Sequence, residues 1–309
     1  MRRLADLGEL TIASSLDDAT LIAEGMGASV IVVRAPIPAE LLERAPLLRA
    51  AIRHGAGLDM IPVAAATRAG VLVANVPGVN ANAVAEYVMM CALMLLRRMR
   101  AIDGGFRQKG WAEGRIFADS ARELKGRRLG IVGYGNVGRR IHAIAANGFG
   151  MEIAAYSRRR ESIPEHTPYR DLDSLMEQCD IVVLCCPLTP ETRGMIDARR
   201  IALMRPDALL INVARGPIVD EEALLEAMRK SAIGGAALDV FARQPLAKNH
   251  ALFDIDNLVL TPHLAGITEE SMLAMGMGVA DETARIVSGK LPANLCNPEA
   301  VELYRSRLM

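Results

Sequence analysis

Short apolar runs of strand length alternate along this chain with longer stretches of helical spacing. Val30–Val33 is four β-branched residues in a row and predicts a buried strand. Pro38–Ala45 has helical spacing with Pro at its start. Leu58–Ala69 reads as a helix after a Gly-rich turn, and Val71–Ala74 as a strand. Asn82 is placed to cap a long helix running to about Arg98. The stretch from Asp103 to Lys125 is more polar, bears glycines and holds the only tryptophan, Trp111; a domain crossing is expected near its start. Alternation then resumes. Leu129–Val132 predicts a strand and Asn136–Asn147 a helix, and further strands are expected at Met151–Tyr156, Ile181–Leu184, Ala208–Asn212, Ala236–Leu238 and Leu258–Leu260. Thr268–Ser288 is a final long helix. Strands that alternate with helices form parallel sheets with right-handed crossovers, and two such blocks predict two doubly wound α/β domains.

Composition narrows the picture. The chain has 309 residues, 51% hydrophobic and 23% charged, which excludes disorder and leaves room for about two domains. Lys+Arg and Asp+Glu balance at 36 each, and aromatics are 4%. Neither a large nucleic-acid footprint nor a base-stacking platform is expected. The longest apolar stretch, Ala83 to Leu96, is interrupted by Glu86 and ends in Arg97 and Arg98, so it reads as a buried helix and not a membrane span. The N-terminus has no continuous apolar h-region, so no signal peptide is expected. Cys91, Cys179, Cys185, Cys186 and Cys296 show no metal-ligand spacing, which fits a reducing cytoplasm and no metal.

One turn carries specific chemistry. Gly133-Tyr134-Gly135-Asn136-Val137-Gly138 is a G-x-G-x-x-G directly after an apolar strand and directly before a helix. Gly133 permits the tight turn, Gly135 lets backbone approach a pyrophosphate, and Gly138 lets helix and strand pack closely. The helix N-terminus supplies unpaired N–H groups and partial positive charge. The next strand should end beside the adenosine ribose, where an acidic residue would accept from the hydroxyls of NAD. This chain has Ser157, Arg158, Arg159 and Arg160 there. An arginine would pair with a 2′-phosphate, so NADP is expected ahead of NAD.

Three later segments fall at strand ends: Asn212 to Gly216, Asp239 to Pro245, and Thr261 to Gly266. They bring Arg215 and His263 to the carboxyl edge of a nucleotide-binding sheet. Hydride transfer to a 2-keto acid needs such a pair, an arginine to hold the carboxylate and polarise the carbonyl and a histidine to protonate the developing alkoxide.

With these motifs the chain resembles the D-isomer-specific 2-hydroxyacid dehydrogenases. The resemblance covers almost the whole chain: Arg53-His54-Gly55-Ala56-Gly57-Leu58-Asp59, Asn75-Val76-Pro77-Gly78, Ala85-Glu86, the glycine motif, Cys186 to Arg193, Asn212 to Asp220, and Thr261-Pro262-His263. It implies a Rossmann cofactor domain, residues 99–284, inserted into a flavodoxin-like substrate domain, residues 1–98 plus 285–309, and a homodimer. It assigns Arg215 to the substrate carboxylate and carbonyl, His263 to acid–base catalysis, and the loop of Gly55, Ala56 and Gly57 to the carboxylate through backbone N–H groups. Asn136, Val137, Pro187, Thr192, Ala214 and Asp239 would line the cofactor. The implied activity is reduction of glyoxylate or hydroxypyruvate, with 3-phosphoglycerate dehydrogenase and a nucleotide-sensing corepressor as alternatives.

The chain departs from the family at one place. The family's histidine-pairing glutamate falls where this sequence has Gln244. Gln244 is expected to orient the ring by accepting a hydrogen bond. It supplies no charge, so the histidine should be less basic than beside a glutamate.

Overall fold

A computed structural model describes residues 2–307. It forms two compact units, Met1–Asn80 with Thr268–Met309, and Ala81–Ile267.

The first unit holds β1 (Val30–Val33), β2 (Ala50–Arg53) and β3 (Leu72–Ala74), parallel and in sequential order. Register pairs Val30 with Ala50 and Ala50 with Leu72. Right-handed crossovers between sequential parallel strands put both connecting helices on one face. Those helices are Ala39–Arg44 and Val63–Arg68, whose Leu41, Leu42, Ala65 and Ala66 bury against Val33, Ala51 and Val73. The other face would stay bare but for the chain's return. Val279 and Ile286 of helix Glu269–Val287, with Ala300 and Tyr304, cover Ala50, Ile52, Leu72 and Ala74. With both faces covered, β2 can be built of Ala-Ala-Ile-Arg, which lacks the β-branched density that marks a strand in sequence. It is absent from the expected elements for that reason.

The returning segment is tied down by two buried polar side chains. Asn297, fully buried, accepts from Val73 N–H (2.7 Å) and donates to Val71 C=O (2.9 Å) and Thr67 Oγ1 (3.1 Å). It thereby satisfies the outer edge of β3, where a bare edge would leave unpaired backbone groups. Glu282, also buried, accepts from the N–H groups of Ala293 (2.8 Å) and Asn294 (3.0 Å) and from Asn294 Nδ2 (2.7 Å). A capping box between Thr268 and Ser271 opens the long helix at the residue where the chain re-enters this unit.

The second unit holds β4 (Arg128–Val132), β5 (Glu152–Tyr156), β6 (Ile181–Leu184), β7 (Leu209–Asn212), β8 (Gly235–Leu238) and β9 (Leu258–Leu260). All pair in parallel, in the order β5-β4-β6-β7-β8-β9. An isolated parallel bridge from Ala155 to Tyr169 adds a rudimentary strand outside β5. Connections therefore run outward in both directions from β4 and β6, and the order reverses between them. Ligands in doubly wound sheets bind beyond the carboxyl ends at this switch point.

The unit boundaries correct the expected ones. The chain crosses at 80/81 and 267/268, not at 98/99 and 284/285. Helix Ala81–Leu96 packs Ala85, Val88, Met89 and Ala92 into the core containing Ile141, Leu209, Ile211 and Ala237 of the second unit. Helix Glu269–Val287 packs on the small sheet of the first. Helix Val63–Arg68 also starts later than expected, after Pro62, and the polar stretch past Arg98 forms helices Met99–Lys109 and Trp111–Arg115. Among the described residues no helix is long and apolar enough to cross a membrane.

Replacing Asn297 with Ala leaves a buried N–H and a buried C=O unpaired. A loss of about 2–4 kcal/mol is expected, read as a lower urea midpoint, with a smaller loss for Asn297→Asp, which keeps the acceptor.

Candidate functional site

The glycine turn follows β4 directly, and its shape is set by close contacts. Gly133 has φ +101°, and a Cβ there would stand 2.6 Å from Cys186 N and 2.7 Å from Cys186 Cα. Only glycine combines that dihedral with so close an approach of the β4 and β6 ends. A Cβ on Gly138 would run into the Gly133 carbonyl oxygen. At Gly135 a Cβ would meet nothing within 4 Å, which leaves the turn open where a pyrophosphate would approach. Helix Asn136–Phe149 begins there, with Gly135 as its N-cap and Asn136 and Val137 in its first turn. The helix dipole and unpaired N–H groups face anionic ligands at such an end.

Beside the turn lies a cavity of about 440 Å³. It gathers Gly133, Gly135, Ser157, Arg158, Pro187 and Thr192, six of the residues expected to hold a dinucleotide. Asn136, Val137, Gly138, Ala214 and Asp239 do not line it. Arg159, a further arginine of the basic turn, and Cys186, which was not among the expected cofactor contacts, also line it. Thr192 acts locally as a clasp, accepting from Thr189 N–H (2.7 Å) and donating to Pro187 C=O (2.8 Å). Arg158 is half exposed and pairs with Glu191 at 3.2 Å. Thr189 Oγ1 donates to the same carboxylate, which holds it below the usual range together with the Arg158 charge. Ser157 Oγ accepts from Ser162 Oγ at 3.1 Å. Burial pushes the Cys186 thiol up to about 11, so it is a protonated wall of the cavity and not a nucleophile. The open turn, the packed glycines and the adjoining cavity fit a dinucleotide.

Arg215 and His263 each stand three residues past a strand end, after β7 and β9 respectively. Only β8 separates those strands, so the two backbones emerge about 10 Å apart on the same edge of the sheet. Asn212 shapes the first loop, accepting from Ala214 N–H (3.0 Å) and donating to Arg215 C=O (3.1 Å). Arg215 itself donates to Ala214 C=O at 2.6 Å.

The His263 loop is wound around Asp239, a fully buried carboxylate just past β8. Its side chain accepts from Thr261 Oγ1 (2.6 Å), Leu264 N–H (2.7 Å) and Ala265 N–H (2.9 Å). Its carbonyl accepts from His263 N–H at 2.8 Å. His263 has φ +59°, a left-handed conformation that costs a non-glycine residue about 1–2 kcal/mol. Asp239 therefore belongs to the histidine loop, not to the wall of the cavity.

Gln244 does not take the place expected for it. Its side chain is exposed in a bend beyond β8 and, among the described residues, makes no hydrogen bond to His263 or any other group. The bend directs it to solvent, and neither periodicity nor motif spacing encodes that direction.

In the other unit, the loop of Gly55, Ala56 and Gly57 follows β2. Its carbonyls are turned inward. Val76 N–H donates to Gly55 C=O (2.9 Å), Asn75 Nδ2 to Ala56 C=O (2.7 Å), and Arg53 Nε to Gly57 C=O (3.1 Å). Among the described residues the N–H groups of Ala56 and Gly57 have no partner. A loop with satisfied carbonyls and unspent N–H groups presents partial positive charge suited to a carboxylate. Arg53 and Asn75, which organise this loop, were visible in the sequence only as parts of motifs. His54 is less basic than usual through burial and the Arg34 and Arg53 charges. Among the described residues no cluster of His, Cys, Asp and Glu could hold a metal ion.

Known proteins resemble this chain over most of its length. Residues 89–265 match the NAD binding domain of the D-isomer specific 2-hydroxyacid dehydrogenases. A glyoxylate reductase of Pyrococcus furiosus is 39% identical over 276 residues, covering 87% of this chain and 82% of that one. The crystal structure of the TT0316 protein from Thermus thermophilus superposes with a TM-score of 0.87 at 31% identity, covering 95% of both chains. An NADPH-dependent glyoxylate/hydroxypyruvate reductase from Sinorhizobium meliloti, in complex with NADP and malonate, superposes with a TM-score of 0.80 at 30% identity, covering 92% of this chain and 88% of that one. The nucleotide turn, the cavity beside it and the strand-end arginine and histidine thus sit in a chain that belongs to the D-isomer specific 2-hydroxyacid dehydrogenase family.

Proposed function

We propose that this protein reduces a small 2-keto acid, glyoxylate or hydroxypyruvate, to the D-2-hydroxy acid with NADPH. One observation carries the reading. Arg215 and His263 emerge side by side on the edge of the sheet whose switch point bears the nucleotide turn and cavity. The similarity to glyoxylate reductases supports the substrate class.

The nicotinamide, when bound, supplies the hydride. The chain's own groups do the rest. The Arg215 guanidinium holds the substrate carboxylate and draws electron density towards the carbonyl oxygen. His263, as imidazolium, gives its proton to that oxygen as it becomes an alkoxide. In the smaller unit, the unspent N–H groups of Ala56 and Gly57 suit a carboxylate. In this reading Gln244 contributes no charge to His263.

NADPH is favoured over NADH by Arg158 in the cavity and by Ser157 where an acidic residue would repel a 2′-phosphate. Glu191, now paired with Arg158, would yield that partner to the phosphate.

A second copy of the chain is the partner this reading takes. Phe106, Trp111 and Ile116 are exposed on helices Met99–Lys109 and Trp111–Arg115 and the residue just past them, with Phe106 and Trp111 edge to face at 6.3 Å. A cluster of exposed aromatic and aliphatic side chains marks an interface.

Three outcomes are expected. Purified protein should oxidise NADPH faster than NADH with hydroxypyruvate or glyoxylate, and Arg158→Ala should raise the NADPH KM about 10- to 100-fold while leaving that for NADH near its starting value. His263→Gln and Arg215→Gln should each lower kcat/KM by about 10²- to 10⁴-fold, with cofactor binding followed by fluorescence unchanged; full activity in either variant would overturn the assignment. Sedimentation should give a dimer, and Trp111→Glu should shift it towards monomer.

A further inference from the structure

A half-buried chain of hydroxyl groups ends at the histidine loop. Its outer member is Tyr87, on helix Ala81–Leu96. The Tyr87 hydroxyl lies 2.5 Å from Thr261 Oγ1, and Thr261 Oγ1 donates to Asp239 Oδ1 at 2.6 Å. Thr261 has one hydroxyl proton and spends it on Asp239, so Tyr87 is the donor to Thr261. Burial pushes the Tyr87 phenol well above its ordinary value, so it remains a donor across the working pH range. Cys91, one turn on, is held protonated beside it, at about 11, again mainly by burial.

The chain brackets His263 on both sides. Thr261 precedes it and is fixed through its hydroxyl. Leu264 and Ala265 follow it and are fixed through their N–H groups on the same carboxylate. His263 N–H is bound to the carbonyls of Asp239 (2.8 Å) and Thr261 (3.0 Å). A residue held at φ +59° persists there only where its surroundings over-determine it. The bonds converging on Asp239 supply that determination, and Tyr87 closes the chain from outside the loop.

We propose that Tyr87 is a positioning residue for His263, acting through the hydroxyl of Thr261 and the carboxylate of Asp239. This rests on the reading of His263 as the acid–base group. The Tyr87 hydroxyl never meets the substrate. It holds Thr261 in the rotamer that satisfies Asp239, and Asp239 then holds the imidazole-bearing residue in its left-handed backbone. Removing the hydroxyl leaves a half-buried acceptor on Thr261 without its donor and frees that rotamer.

The test is a double-variant cycle of Tyr87→Phe and Thr261→Val, with Thr261→Ser as the conservative rescue. Tyr87→Phe should lower kcat about three- to tenfold and Thr261→Val about tenfold or more, each with the keto-acid KM within about twofold of wild type. Thr261→Ser should stay near wild type. The double variant should be no slower than Thr261→Val alone, because both changes break one chain. Amide exchange at Leu264 and Ala265 should quicken in both single variants and no further in the double. A merely structural hydroxyl would lower the thermal midpoint and leave kcat unchanged. A Tyr87→Phe enzyme with wild-type kcat and wild-type exchange at those amides overturns the proposal, and so do effects that multiply in the double variant. If the wild-type protein turned over no 2-keto acid, the functional reading would fall by itself, and amide exchange in the same four proteins would decide the chain.

Discussion

A parallel sheet can be wound only with crossovers, and every strand's carboxyl end then falls on one edge. The larger unit of this protein depends on that constraint. It puts the Gly133 turn, the Pro187–Thr192 clasp, Arg215, Asp239 and His263 on the same rim, although they are far apart along the chain. The reversal of order between β4 and β6 opens the rim at one point. Gly133 makes that opening possible, since any side chain there would collide with the backbone at the end of β6.

Function on such a rim requires loops that do not drift. The protein meets this with buried polar side chains that spend their capacity on backbone. Asp239 gathers the His263 loop, Asn212 the Arg215 loop, and Thr192 the turn beside the cavity. Arg53 and Asn75 turn the carbonyls of the Gly55–Gly57 loop inward in the smaller unit, leaving its N–H groups for an anion. For Asp239, Asn212 and Thr192, which are buried, the cost of burial is offset because their partners include backbone groups that also need pairing. The same economy appears away from the site, where Asn297 closes the edge of β3 and Glu282 binds the loop after the long helix.

The smaller unit shows why its sequence is discontinuous. Three strands in sequential order carry their crossover helices on one face, and the other face needs a cover. The C-terminal helices provide it, so the chain must leave to build the larger unit and return.

Much of this was legible in the sequence, because strong local patterns carry it. β-branched runs announced β1 and β6 and an apolar run announced β9, with bounds that match the observed strands, and the G-x-G-x-x-G turn was read in its strand and helix context. Arg215 and His263 were found as residues just past strands. What the sequence by itself determined was the alternation of elements, and from that the parallel sheets, the edge on which chemistry would gather and the residue types available there. Only the tertiary structure decided which sheet each long apolar helix packs against, since helices Ala81–Leu96 and Glu269–Val287 bear apolar faces that name no partner. It also decided that β2 could be built from alanines, that Gln244 turns to solvent, and that Asp239, Thr261 and Tyr87 form one chain of hydrogen bonds. These depend on side-chain direction and on contacts between residues distant in sequence, and hydrophobic periodicity carries neither.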